Sequence, residues 1–160
     1  MVGSSHMDPS ALRACTLFKA LPADRLAKIA AVATHRDYRA GEVVFHDGDK
    51  GDEMFVVVAG KVRISKAVKG VGEEALAVLE AGAHFGEMAM VDDAPRAADA
   101  IAHSTCALAV IRREDLDRAM FLDKELAYDL LWTFVRTLTA RLRETNDKIQ
   151  GFFAMTGGFK

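Results

Sequence analysis

The stretch Gly82-Ala-His-Phe-Gly-Glu-Met-Ala-Met-Val-Asp-Asp-Ala-Pro-Arg-Ala-Ala98 carries residue types that could do chemistry. Gly86 permits a tight turn and lets a ligand approach the main chain. Glu87-Met88-Ala89-Met90 is long enough for one helical turn, and the unpaired N–H groups that open such a turn favour anions. Pro95 fixes the chain just before Arg96, the only Lys or Arg between Lys69 and Arg112. A solitary arginine in an Ala-rich strand is odd for a solvated face, and the small Ala97 and Ala98 leave room for a ligand. A planar guanidinium suits phosphate, to which it can donate two parallel charge-assisted bonds. An ionised Glu87 only accepts, so it suits a sugar hydroxyl and repels phosphate. One anion holder and one hydroxyl holder describe a nucleotide pocket. The plainer alternative is that Glu87 and Arg96 pair with each other as a structural salt bridge.

Three kinds of element must position these groups. From Ala11 to Ala33 the apolar residues Leu17, Leu21, Leu26, Ile29 and Val32 recur near helical spacing, and Pro22 is placed to start a second helix. Residues 34–112 change texture. Short aliphatic runs such as Met54-Phe55-Val56-Val57-Val58 and Ala107-Leu108-Ala109-Val110-Ile111 alternate with glycines, which reads as a β-sandwich or barrel. From Arg113 glycine disappears until Gly151. Leu126, Leu130, Phe134, Leu138, Leu142 and Ile149 then support a long helix with Asp123 as its N-cap. The expected fold is mainly β with flanking α, a helix docked on a jelly-roll-like barrel being one layer scheme that fits. Residues 1–10 read as an expression-tag remnant and solvated start, continuing solvated to Arg13. Gln150 to Lys160 reads as loosely ordered, with residues 154–160 a flexible tail. The Phe152-Phe153 pair is read first as core; capping a base and docking on a partner are the alternatives.

Phe85-Gly86-Glu87-Met88-Ala89-Met90, five residues, then Arg96-Ala97-Ala98 resembles the phosphate-binding cassette of cyclic nucleotide-binding domains. The upstream stretch from Gly41 through Gly48, Gly51 and Gly60 to Val62 resembles the glycine-punctuated first strands of the same family. The resemblance spans roughly Leu17 to Phe153. It implies a double-stranded β-helix (jelly-roll) barrel with N-terminal helices over 11–33, barrel over 34–112 and C-terminal helices over 113–153. Arg96 would hold the exocyclic oxygens of a cyclic phosphate, and Glu87 would accept from the ribose 2′-hydroxyl. Backbone N–H groups near Gly86, Ala89 and Ala98 would complete the cradle, with Phe85 and Met88 inside the matched motif. Ile64 and Leu76 match wall positions. A threonine at the position of Ala97 often accompanies cGMP in the family, so alanine tilts the expectation to cAMP, with cGMP second.

Arg141-Leu142-Arg143-Glu144-Thr145-Asn146 also looks like the dimer helix of catabolite-activator-type regulators, where a threonine-serine pair bonds the adenine edge, partly from the neighbouring subunit. Thr145 and Asn146 stand at that pair, and Arg141 at an arginine close to the ligand. Thr145 reads equally as a polar member of the seam Leu131, Phe134, Leu138, Leu142, Thr145, Ile149 and Phe152, which predicts a homodimer. No helix-turn-helix follows, so direct DNA binding is not expected.

Other functions are constrained by composition. The chain has 160 residues, 51% hydrophobic content, 28% charged residues and a net charge of −2, which argue against disorder and against a general polyanion binder. Two cysteines cannot build a disulfide framework, and no apolar run suggests a membrane span, so a cytoplasmic location is expected. His35, His46, His84 and His103 lack metal-ligand spacing, and no nucleophile turn is visible, so neither a metal nor an enzyme is expected. The reading is a cAMP sensor that signals through its C-terminal helix to a dimer or a protein partner. The alternative is an interaction module with an empty pocket or another ligand, such as a cyclic dinucleotide.

Overall fold

The computed structural model describes residues 7–157. Two short helices, α1 (Pro9–Arg13) and α2 (Ala23–Val32), lead into eight strands, and α3 (Arg113–Leu122) and α4 (Lys124–Thr156) follow. The strands are β1 (Ala33–Tyr38), β2 (Val43–Phe45), β3 (Glu53–Ala59), β4 (Val62–Val68), β5 (Gly72–Leu79), β6 (His84–Phe85), β7 (Asp99–Ala102) and β8 (Cys106–Arg112). They form two antiparallel four-stranded sheets, in the orders β1-β8-β3-β6 and β2-β7-β4-β5. This is the jelly-roll with flanking helices that the sequence implies. No helix among the described residues is long and apolar enough to cross a membrane.

The continuous apolar runs have a simple cause. The first sheet is buried on both faces, so its central strands need no polar alternate. Met54 and Val56 of β3 and Ala109 and Ile111 of β8 face the helices, joining Leu12, Phe18, Leu26, Ile29, Leu126 and Leu130. The intervening Phe55, Val57, Leu108 and Val110 face the barrel interior with Val62, Phe85 and Ala100. One strand pair thus serves two cores, and the period of two sorts its residues between them.

The helices differ from expectation at both ends of the chain. Residues 1–6 and 158–160 lie outside the described residues, but Met7 and Leu12 are buried in the helical core and Asp8 caps α1. The segment expected to be solvated therefore contributes apolar burial. Pro22 opens α2, but turns separate α1 from α2 and Ala33 already belongs to β1. Asp123 caps α4, its Oδ1 accepting from the N–H groups of Glu125 and Leu126. The helix then passes Gly151 and runs to Thr156, where Gly157 at φ +81° ends it. Residues expected to be loose are helical, because extending a long helix by one residue costs far less than starting one. Phe152 and Phe153 are both exposed and belong to neither core.

Candidate functional site

Gly86 turns the chain from β6 into a single 3-10 turn, Glu87–Met90, and does so at φ +72°, where a Cβ is strained. A side chain at Gly86 would also crowd Arg96 Nη1 and the Glu53 carbonyl. This turn, the loop around Arg96, β4, β5 and one face of α4 surround a cavity of about 580 Å³.

Arg96 sits in the loop before β7, not within a strand. The loop is clasped by its neighbour: Arg96 N donates to the Asp49 carbonyl, and Gly48 N donates to the Arg96 carbonyl, both at 2.8 Å. The guanidinium donates from Nη2 to the Glu53 carbonyl at 2.8 Å and from Nη1 to the Gly86 carbonyl at 3.2 Å. Its centre lies 4.2 Å from the Phe45 ring centroid, a cation–π contact. Two of its donors are thereby held by backbone, and its Nε has no partner among the described residues. Burial lowers its affinity for the proton, while Glu53, Asp52, Asp49 and Glu87 pull the other way.

Glu87 is 2% exposed. Its Oε1 accepts from the Arg141 guanidinium of α4, and its Oε2 has no partner among the described residues. Glu87 and Arg96 are therefore not a mutual salt bridge; each has its own partners on the cavity wall. His84 is buried beside them, between Thr16 Oγ1 and Arg141, each at 3.2 Å. Burial, and then the Arg141 charge, push its pKa from an ordinary 6.5 down to about 4.

The remaining expected residues fall as follows. Phe85, Gly86, Met88, Ala89, Ala97 and Ala98 line the cavity, as do Ile64 and Leu76. Leu76 reaches it through a bulge, since Ala77 pairs with Ile64 and Ala75 with Ser65. The extra residue breaks the alternation, so that Leu76 and Ala77 both border the cavity. On α4 the lining residues are Arg141, Glu144, Thr145 and Lys148, one stripe at i, i+3, i+4 and i+7. Asn146 is exposed and lies off that stripe, about 100° round the helix from Thr145. It stands outside the cavity of its own chain. Thr145 Oγ1 donates to the Arg141 carbonyl, a bond within the helix. Among the described residues no group of three or more His, Cys, Asp or Glu could hold a metal ion.

The family profile described as the cyclic nucleotide-binding domain matches residues 35–123. The chain belongs to the cyclic nucleotide-binding domain family. It is 42% identical over 82 residues to a cAMP-dependent protein kinase regulatory subunit of Mycosarcoma maydis, covering 51% of this chain and 15% of the relative. It is 28% identical over 138 residues to cGMP-dependent protein kinase 2 of Mus musculus, covering 86% of this chain and 18% of that one. The crystal structure of the Thermus thermophilus catabolite activator protein superposes with a TM-score of 0.77 at 28% identity, over 86% of this chain and 62% of that one. The chain thus spans less than a fifth of the two kinase-type relatives.

Within this cyclic nucleotide-binding domain, sequence reasoning missed Phe45 and His84. No local pattern marks Phe45 as the platform of Arg96, although an aromatic residue entering a glycine-rich turn was a usable hint. Gly51 also acquires a specific reason. A Cβ there would lie 2.2 Å from Arg96 Nε and 2.5 Å from Nη2. Its φ lies outside the left-handed region, so Gly51→Ala leaves the backbone unstrained and displaces only the guanidinium. The variant is expected to melt somewhat below the wild type, as the guanidinium loses part of its seat on the Glu53 and Gly86 carbonyls, and to bind a cyclic nucleotide several-fold more weakly, since about one hydrogen bond is misplaced. Calorimetric titration beside a thermal melt checks both, and unchanged affinity would show that this seat of Arg96 is not what binds.

Proposed function

We propose that the chain is a cAMP sensor, without catalytic chemistry or a metal. Arg96 holds the cyclic phosphate and Glu87 accepts from the ribose 2′-hydroxyl. The reading is carried by one observation: Glu87 and Arg96, lining one cavity, each keep a buried polar atom with no partner among the described residues. An unsatisfied buried acceptor costs roughly 1–3 kcal/mol, which a ligand hydroxyl recovers. The two groups need opposite ligand chemistry, a donor and an anion, and a nucleoside cyclic monophosphate offers both. Backbone N–H groups of the Gly86–Ala89 turn and of Ala98 complete the cradle, while Ile64, Leu76 and Ala77 provide an apolar wall for the base.

The base preference rests on Ala97, which has no hydroxyl for a guanine amino group. Titration calorimetry is expected to show cAMP bound more tightly than cGMP. Ala97→Thr is expected to shift the ratio toward cGMP by several-fold, the effect of one added hydrogen bond of about 1 kcal/mol. Wild-type protein that binds neither nucleotide, or an Ala97→Thr ratio equal to the wild type, would remove the corresponding half of the reading.

Signalling in this proposal runs through α4. Arg141 touches Glu87 directly, so a ligand that engages Glu87 acts on the helix as well. It shifts the helix position only through a difference in affinity between two positions. The exposed Leu131, Leu138, Leu142, Ile149 and Phe152 on the same helix are the surface through which a second copy or another protein would sense the change.

A further inference from the structure

His84 has no part in the proposal so far, yet it lines the cavity, is buried, and sits at the centre of hydrogen bonds that cross the molecule. Its Nε2 lies 3.2 Å from Arg141 Nη2 on α4. Its Nδ1 lies 3.2 Å from Oγ1 of Thr16, in the connection between α1 and α2. The partners decide the tautomer. A guanidinium has donors only, so Nε2 must accept from it; the proton of the neutral ring is then on Nδ1 and is donated to Thr16 Oγ1. The same guanidinium donates from Nη1 to Glu87 Oε1.

The members of this network differ in what holds them. The Arg141 side chain is 45% exposed, on a stem with much rotamer freedom to lose. Glu87 is buried, and a buried carboxylate deprived of its partner cation is drawn outward toward water, which displaces the acceptor at Oε2. The ring of His84 is rigid, enclosed and tied at both nitrogens, so it is the part able to fix the other two.

We propose that His84 is a positioning residue for the ribose subsite: by accepting from Arg141 it holds that guanidinium on Glu87 Oε1, which leaves Oε2 as the acceptor for the 2′-hydroxyl. This rests on the cyclic-nucleotide reading above and adds a residue that touches no phosphate or base. Thr16 contributes at one remove, by selecting the tautomer. The N-terminal helical segment thereby influences ligand selection at the far side of the barrel wall.

The test is titration of cAMP and 2′-deoxy-cAMP into the full chain and its variants. The wild type is expected to favour cAMP by about tenfold, the effect of one hydrogen bond to a charged acceptor. His84→Phe keeps the ring volume and removes the ring acceptor, leaving Arg141 Nη2 only its longer bond to the carbonyl of residue 84, at 3.4 Å. It is expected to bring the two affinities within about twofold, by weakening cAMP and leaving the deoxynucleotide unchanged. His84→Gln offers Arg141 an acceptor again and is expected to restore most of the preference. A His84→Phe ratio equal to the wild type overturns the proposal, as does an equal loss for both nucleotides, which marks a merely structural role. Should His84→Phe fail to fold, Thr16→Val decides: a lowered ratio supports the proposal and an unchanged one overturns it. A wild type that binds neither nucleotide sinks the parent reading instead, and so is a distinct outcome.

Discussion

Arg96→Ala is expected to weaken cAMP binding by roughly tens to hundreds of fold. A hydrogen bond to a charged group contributes roughly 1.5–3 kcal/mol, and about 1.4 kcal/mol is a factor of ten. The lower figure applies if one bond to the phosphate is lost and water replaces part of it. The higher applies in the half-enclosed site, where Phe45 and the carbonyls of Glu53 and Gly86 already hold the guanidinium in place. Those same contacts make the alanine variant less stable, so affinity must be read beside a melting curve. Arg96→Lys separates the contributions. It keeps a positive charge but not the fork that bonds two carbonyls and to which the proposal assigns the phosphate. It is expected to recover part of the stability and little of the affinity. Calorimetric titration of all three proteins with cAMP is the measurement, and equal affinity in wild type and Arg96→Ala would take the phosphate role away from this residue.

The parts of this site that were legible in the sequence are local ones. Gly86 and the four residues after it specify a turn because the left-handed backbone and the 3-10 hydrogen bonds act within a few positions. Asp123 specifies a helix start for the same reason. The seat of Arg96 was not legible, since Nη2 bonds a carbonyl 43 residues earlier, a backbone group with no side-chain signature. His84 is a similar case, its Thr16 partner being 68 residues away. The helical repeat separates the roles of the two expected helix residues. Thr145 and Asn146 are adjacent, so a single helix cannot turn both to one cavity, and the chain's own stripe of Arg141, Glu144, Thr145 and Lys148 excludes Asn146. Gly151 misled in the other direction. It lowers helix propensity by about 1 kcal/mol relative to alanine, too little to stop a helix already 27 residues long at that point, counting from Lys124 to Gln150.

Lowering the pH from 6.5 to 4 is expected to remove up to about 3 kcal/mol of folding stability through His84 alone, since each unit of pKa shift is about 1.36 kcal/mol. The folded ring has its pKa pushed down to about 4, against an ordinary 6.5. The unfolded chain therefore takes up a proton in this window while the folded chain does not. The stabilising contribution is complete above pH 6.5, declines as the pH falls, and is gone below about 4, where both states are protonated. Burial is the larger cause, and the Arg141 guanidinium that sets the tautomer adds to it. Protonating Nε2 would place an N–H toward the Arg141 guanidinium inside a buried site, removing a bond and adding a like charge. The groups facing the ring are Arg141 from α4 and Thr16 from the α1–α2 connection, with Glu87 bound to the same guanidinium. Other titrations add to the raw curve: Asp123, Glu144 and Glu80 are all shifted down by cationic partners, and their losses fall mainly below pH 4.5. The quantity to compare is thus the slope of unfolding free energy against pH between 6.5 and 4.5, for wild type and His84→Gln. Glutamine does not titrate, so a clearly flatter slope is expected in the variant whatever its absolute stability. Parallel slopes would mean that the folded and unfolded chains protonate this ring alike between pH 6.5 and 4.5, so that the ring is not held neutral by its site and Arg141 does not depend on it as an acceptor there.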